Sequence, residues 1–486
     1  MPGITIIGLG PGNPEQLTLE AWRALEGSQE VYLRTLRHPV VEALPRGPAY
    51  RSFDDLYEAH DSFPEVYEAM AQRLLALAER PEGVVYAVPG HPTMGETSVR
   101  RALELAAERA LPVRIIAGLS FLEPTAVALG IDPFDGLQIA DATALALRHH
   151  PNLDPDVAAL VVQVYNRQLA SEVKLTLMSL YHDDHPVRLV RAAGTPDASV
   201  RDLPLYELDR QGDLDHLTSL YIPALAEPGS VARFQDVVAR LRAPDGCPWD
   251  REQTHQTLRT HLLEETYEVL DALDTDDMDK LREELGDLML QILLHAQIAV
   301  EDGDFKLVDS MQHVMEKLIR RHPHVFGGEK VQDSDEVLRA WEQIKRQERG
   351  EHFASLLAGI SRALPSLSQA LEMQRRAARV GFDWGSVEPV EAKVAEEIEE
   401  FRLAPDPERR SAEFGDLLFS LVNLARWHAI DPESALREAN QRFARRFETI
   451  ERHAADIGRP LEEMTLEEMD ALWDEAKEAE TRDREA

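Results

Sequence analysis

The chain has 486 residues, 44% of them hydrophobic, and a formal net charge of −36. That length fits two or three domains, and that charge disfavours sequence-independent binding to DNA, RNA or anionic lipid, though not to nucleotides whose phosphates a metal screens. No apolar run approaches the roughly 20 residues of a membrane helix, no basic segment precedes the first strand as in a signal peptide, and the single cysteine, Cys247, excludes an intrachain disulfide framework and agrees with a cytoplasmic setting.

Residues 1–225 read as α/β. Ile4-Thr5-Ile6-Ile7 is a short strand, followed by Gly8-Leu9-Gly10-Pro11-Gly12 and a helix over about 17–25. An apolar strand at 84–88 ends in Pro89-Gly90-His91-Pro92, and another at 113–117 ends in Gly118-Leu119-Ser120. Residues 160–164, 187–190 and 216–222 supply further strands. Strands alternating with helices predict a largely parallel sheet with ligands at the carboxyl ends of its strands, where glycine lets backbone N–H groups approach closely.

These loops, with Gln163-Val164-Tyr165-Asn166 and Ala192-Ala193-Gly194, resemble the tetrapyrrole methylase family over about residues 5–223. The resemblance implies that this domain binds S-adenosylmethionine, and it carries cofactor contact onto Gly8, Gly10, Gly12, Gly90, His91, Gly118 and Ser120. The family commonly has Gly-Asp-Pro where this chain has Gly90-His91-Pro92.

Pro223 and Pro228-Gly229 punctuate a linker, and from Val231 helical periods dominate. A helix-like run at 261–273 carries Glu264, Glu265 and Glu268, an acidic turn follows at 274–279, and a second run at 281–295 carries Glu283, Glu284 and Asp287. In the second run Glu284, Asp287, Gln291 and His295 share a narrow stripe of an otherwise apolar helix. No Lys or Arg lies within 284–295. A cation from outside the segment is implied, and Mg²⁺ or Mn²⁺ suits an oxygen cage. Residues 305–321 and 333–347 read as further amphipathic helices. His322 and His324, beside Pro323, read as structural, and His295 as a core residue or a support behind the ligands rather than a ligand.

The pattern is duplicated. Glu396-Glu397-Ile398-Glu399-Glu400 repeats the spacing of Glu264-Glu265-Thr266-Tyr267-Glu268, and Glu413-Phe414-Gly415-Asp416 repeats Glu284-Leu285-Gly286-Asp287. An i, i+3 pair projects two carboxylates from adjacent helical turns, so two antiparallel helices bring four together. The acidity is graded to match, with a net of −13 for residues 1–225 (18 basic, 31 acidic) and −23 for 226–486 (34 basic, 57 acidic).

This repeat, with Cys247-Pro248-Trp249-Asp250, Arg320-Arg321-His322-Pro323-His324-Val325-Phe326, Trp341-Glu342-Gln343-Ile344-Lys345 and Val380-Gly381-Phe382-Asp383-Trp384, resembles MazG, the all-α nucleoside triphosphate pyrophosphohydrolases. The expected architecture is multidomain: an α/β tetrapyrrole methylase-like domain at 1–225, then two all-α MazG-like repeats at 226–350 and 351–486. By resemblance the metal ligands fall on Glu265, Glu268, Glu284 and Asp287, and on Glu397, Glu400, Glu413 and Asp416. Glu264 and Glu396 are then placed to handle the attacking water, and Lys393, Arg442, Arg445, Arg446, Trp473 and Lys477 to contact phosphate and base.

The expected reaction is hydrolysis of a nucleoside triphosphate to the monophosphate and pyrophosphate, with Mg²⁺ or Mn²⁺. Its richer cationic set makes the second repeat the expected seat of most turnover. The competing class is an S-adenosylmethionine-dependent methyltransferase or sensor whose helical part mainly oligomerises. Broad apolar helix faces lead us to expect a homodimer, with no nucleic-acid polymer or membrane as partner.

Overall fold

The computed structural model describes residues 3–60, 62–328 and 355–485, together with 331, 333, 336, 337, 341 and 344. Most of the 333–347 segment, including Glu342, Gln343 and Lys345 of the tryptophan motif, lies outside the described residues. The chain forms two compact units, Met1–Val237 and Val238–Ala486.

The first unit holds two five-stranded sheets. One contains β1 (Ile4–Gly8), β2 (Glu30–Leu33), β3 (Ala49–Ser52), β4 (Val84–Val88) and β5 (Val113–Ile116), in the order β3-β2-β4-β1-β5. Every pair in it is parallel. Its central strands are buried on both faces, as continuous apolar runs require. Ile6 and Tyr86 pack into one core with Met70 and Leu74, while Ile7 and Ala87 pack into another with Leu25 and Val31. The register of β1 against β4 and β5 aligns their carboxyl ends, so that the loops beginning at Leu9, Pro89 and Ala117 emerge side by side.

The second sheet departs from the single parallel sheet expected. It joins β6 (Gln138–Asp141), β7 (Ala159–Val162), β8 (Pro186–Arg191), β9 (Ser199–Pro204) and β10 (Thr218–Ile222) in the order β6-β7-β10-β8-β9, and only β6 and β7 are parallel. The reason is connection length: residues 192–198 are too few for the crossover that a parallel neighbour needs, so β8 and β9 form a hairpin.

In the described residues of the second unit, helices dominate. Two antiparallel hairpins organise it: Leu258–Asp274 with Met278–Asp302, and Glu388–Leu403 with Pro407–Trp427. Each return helix is capped by an aspartate in the turn. The Lys280 N–H donates to Asp277 Oδ1 at 3.0 Å, and the Arg409 N–H donates to Asp406 Oδ1 at 2.8 Å, with Pro407 supplying a preset first residue. The hairpins are tied through the Pro432–Asp456 helix, whose Arg437 meets Asp274 at 2.6 Å and whose Gln441 donates to Asp271 at 2.6 Å. Among the described residues no helix is long and apolar enough to cross a membrane.

Candidate functional site

The E-x-x-E and E-x-x-D spacings put carboxylates on the facing sides of each hairpin. In the first, Glu265, Glu268 and Glu284 each offer an oxygen within 4.8 Å of the others. Asp287, the fourth residue expected there, lies outside that group, but its charge acts on both Glu265 and Glu284. Glu284 is only 8% exposed. Among the described residues no basic side chain forms an ion pair with Glu265, Glu268 or Glu284; the nearby Lys280 ammonium instead reaches Asp271 at 3.1 Å. Burial, then the charges of Asp287, Glu268 and Glu284, raise the Glu265 carboxyl above its ordinary range. Burial, then Glu268, does the same to Glu284, with Lys280 opposing. Repulsion of this kind favours a bound cation.

In the second hairpin Glu397, Glu413 and Asp416 form the corresponding group, and Glu400 lies outside it. Here Glu397 is the buried member, 5% exposed, and its Oε2 has no hydrogen-bond partner. Its Oε1 is 2.8 Å from the Lys393 ammonium, which also donates to Glu396 Oε1 at 2.9 Å. Those two hydrogen bonds, Glu397 first, raise the Lys393 pKa. Arg409 Nε lies 3.5 Å from Glu413 Oε1. Glu264 and Glu396 are both exposed, and Glu264 Oε2 pairs with His261 Nδ1 at 3.1 Å.

The remaining cationic candidates gather where the Pro432–Asp456 and Leu466–Glu485 helices meet. The Arg446 guanidinium lies 5.4 Å from the centre of the Trp473 ring and 2.8 Å from Glu480, while Phe443 stands 5.1 Å from Trp473. Arg445 is 3.7 Å from Glu480, and Arg442 pairs with Glu438 at 3.4 Å along its own helix. Lys477 is exposed, one turn beyond Trp473. Arg409 and the Asp271 and Asp274 contacts had no motif to announce them. For the Lys280 and Arg409 contacts the signal in the sequence is a basic residue four positions before the first cage carboxylate of each return helix, Lys280 before Glu284 and Arg409 before Glu413.

In the α/β unit the three glycine loops interlock. A Cβ on Gly8 would lie 2.6 Å from the Gly118 nitrogen and 2.7 Å from the Gly90 oxygen, and one on Gly118 would lie 2.5 Å from that same oxygen. Gly10 and Gly90 exchange backbone hydrogen bonds at 2.7 and 3.2 Å. Gly10, Gly12 and Gly90 have φ of +72°, +137° and +64°, and the position a Cβ would take on Gly90 is open space. His91 Nδ1 pairs with the Thr93 hydroxyl at 3.0 Å. The Ser120 hydroxyl is committed locally, donating to Glu123 at 2.6 Å and accepting from the Leu122 N–H at 3.0 Å. Beside these loops, and unforeseen, the half-buried Arg34 meets buried Glu96 at 2.7 Å, and Ser98 links Glu96 to Tyr86.

The fold and sites define a protein with an α/β methylase-type unit followed by a helical unit bearing carboxylate cages. Residues 3–209 match the tetrapyrrole (corrin/porphyrin) methylases, and residues 253–326, which include the first cage, match the MazG nucleotide pyrophosphohydrolase domain. The chain is 45% identical to "Uncharacterized protein YabN" of Bacillus subtilis, over 99% of each chain. It is 46% identical to the nucleoside triphosphate pyrophosphohydrolase/pyrophosphatase MazG of Thermotoga maritima, over 50% of this chain and 95% of that one. A crystal structure of uroporphyrin-III-C-methyltransferase from Thermus thermophilus matches 46% of this chain and 92% of its own at 25% identity, with a TM-score of 0.37. The chain belongs to the family that fuses a tetrapyrrole methylase-like domain to a MazG region.

Proposed function

We propose that the chain is a cytoplasmic, metal-dependent nucleoside triphosphate pyrophosphohydrolase that serves nucleotide-pool housekeeping. In this reading residues 226–350 and 351–486 are its two MazG-like repeats, and residues 1–225 form a unit that binds S-adenosylmethionine. The observation that carries it is the pair of carboxylate groups, each built around one buried glutamate, Glu284 or Glu397. The donor set fits a hard divalent cation: it is all oxygen, it is crowded, and one buried oxygen, Glu397 Oε2, has no partner.

Glu265, Glu268, Glu284 and Asp287 would hold one ion, and Glu397, Glu400, Glu413 and Asp416 the other. When bound, Mg²⁺, or Mn²⁺ in its place, stabilises charge on the triphosphate oxygens. Glu264 and Glu396 orient the water that attacks the α-phosphorus and accept its proton, while the bond to the bridging oxygen breaks and pyrophosphate leaves. The His261 and Lys393 contacts hold those two carboxylates in place. Lys393, Arg442, Arg445, Arg446 and Lys477 meet phosphate, and Trp473 offers a face to the base. The contact between Arg446 and Trp473 supports a combined cationic and stacking surface.

A panel of ribo- and deoxynucleoside triphosphates with Mg²⁺, scored for pyrophosphate, tests this reading and ranks the substrates. Glu268→Ala combined with Glu400→Ala should lower the rate by about a hundredfold or more, since even changes to groups that only support a metal ligand cost about 10–100-fold. An unchanged rate would remove the cages from the reaction.

A further inference from the structure

The two cages share a carboxylate spacing and differ in what neutralises them. In the first hairpin the residue three before Glu264 is His261, which pairs with exposed Glu264 and not with Glu265, Glu268 or Glu284. In the second the matching residue is Lys393, and its ammonium lies 2.8 Å from the buried Glu397 and 2.9 Å from Glu396. Arg409 adds a longer contact to Glu413, 3.5 Å away. The second cage thus already holds a monovalent cation against its most buried ligand, on a flexible four-carbon stem. The Lys393 side chain is 33% exposed, so the ammonium can swing outward without unpacking the helix.

We propose that Lys393 gates metal entry into the second cage. The first cage takes a divalent ion on its own, whereas the second takes one tightly only when a polyphosphate draws the Lys393 ammonium away from Glu397. The inference rests on the cage reading above and assigns it an order: nucleotide and metal load the second repeat together. Lys393 is a positioning residue here, acting through Glu397. A bound triphosphate serves as its alternative partner, because its oxygens accept from an ammonium as carboxylates do.

The test measures Mn²⁺ binding to the full-length protein by electron paramagnetic resonance, apart from any turnover. Glu265→Gln with Glu284→Gln silences the first cage, so that the remaining signal reports the second. In that background we expect weak Mn²⁺ binding that tightens about tenfold or more with a non-hydrolysable triphosphate analogue. Lys393→Met should give a comparable gain without the analogue; tenfold corresponds to about 1.4 kcal/mol, within reach of a charge pair with one buried member. Lys393→Arg, which keeps the charge, should stay weak, and circular dichroism confirms that each variant is folded. If Lys393→Met binds Mn²⁺ within twofold of its parent, the gate is refuted and the lysine is an ordinary helix ion pair, while the cage reading stands. If the unsubstituted protein binds no Mn²⁺ with or without the analogue, the cages and the gate fall together.

Discussion

The junction of the glycine loops separates two roles that a single substitution would confound. Gly8→Ala puts a methyl group 2.6 Å from the Gly118 nitrogen and 2.7 Å from the Gly90 oxygen, both backbone atoms just beyond the carboxyl ends of β5 and β4. Neither can retreat without shifting β4 or β5, so the cost is overpacking of about 3 kcal/mol, or about 6–12 °C in the melting of a unit this size. Gly90→Ala meets no atom within 4 Å and pays only for a left-handed φ of +64°, about 1 kcal/mol. It does, however, put a methyl group into open space on a loop expected, by resemblance, to contact the cofactor. Calorimetry with S-adenosylhomocysteine and thermal melts should therefore dissociate: Gly8→Ala loses stability, whereas Gly90→Ala stays folded and loses binding. Wild-type affinity in Gly90→Ala would refute that placement of the cofactor. Melting of Gly8→Ala at the wild-type temperature would refute the packing argument.

Two further predictions concern acid stability and assembly. Burial, then the charges of Arg34 and His216, depress the His38 pKa from 6.5 to about 4. Between those values the unfolded chain binds more protons than the folded one, so stability falls as the pH drops from 6.5, by about 3 kcal/mol at pH 4. His38→Gln should flatten that limb of the melting profile, and an unchanged slope would assign the acid loss elsewhere. The Leu307–Arg321 helix leaves Val308, Met311, Val314, Met315, Leu318 and Ile319 each 43–52% exposed on its apolar face, and a face of that kind suits burial between two chains. Light scattering should give twice the 54.7 kDa chain mass, and a monomer at micromolar concentration would count against the homodimer.

Elements that are apolar throughout were legible from the sequence, and those that depend on neighbours were not. β1 and β4 stand out because they are buried on both faces, and β5, an edge strand with Arg114 and Ile115 exposed, because its β-branched residues run together. β3, Ala49-Tyr50-Arg51-Ser52, is a half-exposed edge whose strand character comes from pairing with β2, and β9, Ser199–Pro204, carries Arg201 and Asp202 on a sheet edge. The i, i+3 spacing brings carboxylates of both helices of each hairpin together, but only Glu265 with Glu268 and Glu413 with Asp416 stay together as pairs in the close groups. Spacing does not say which glutamate is buried, and the apolar periodicity of 261–273 predicts a core-facing stripe although Leu263 and Leu273 are 53% and 52% exposed in the single chain. Whether an apolar stripe is covered depends on what packs against it, which periodicity does not encode.

The difference between the two cages also escapes a motif, because it arises from residues just outside it. Lys280 and Arg409 each precede the return-helix glutamate by four, a spacing that lets a long basic side chain reach that carboxylate. In the first hairpin Lys280 has a competitor: Asp271, three residues after Glu268, takes its ammonium at 3.1 Å. The position three after Glu400 is Leu403, which offers no acceptor, and Arg409 turns to Glu413 instead. One exchange, Asp271 against Leu403, thus decides whether a local cation is diverted from its cage or left on it. The second exchange, His261 against Lys393, acts in the same direction. Duplicated spacing places a carboxylate group on each hairpin, while these flanking positions set how much positive charge lies against each group.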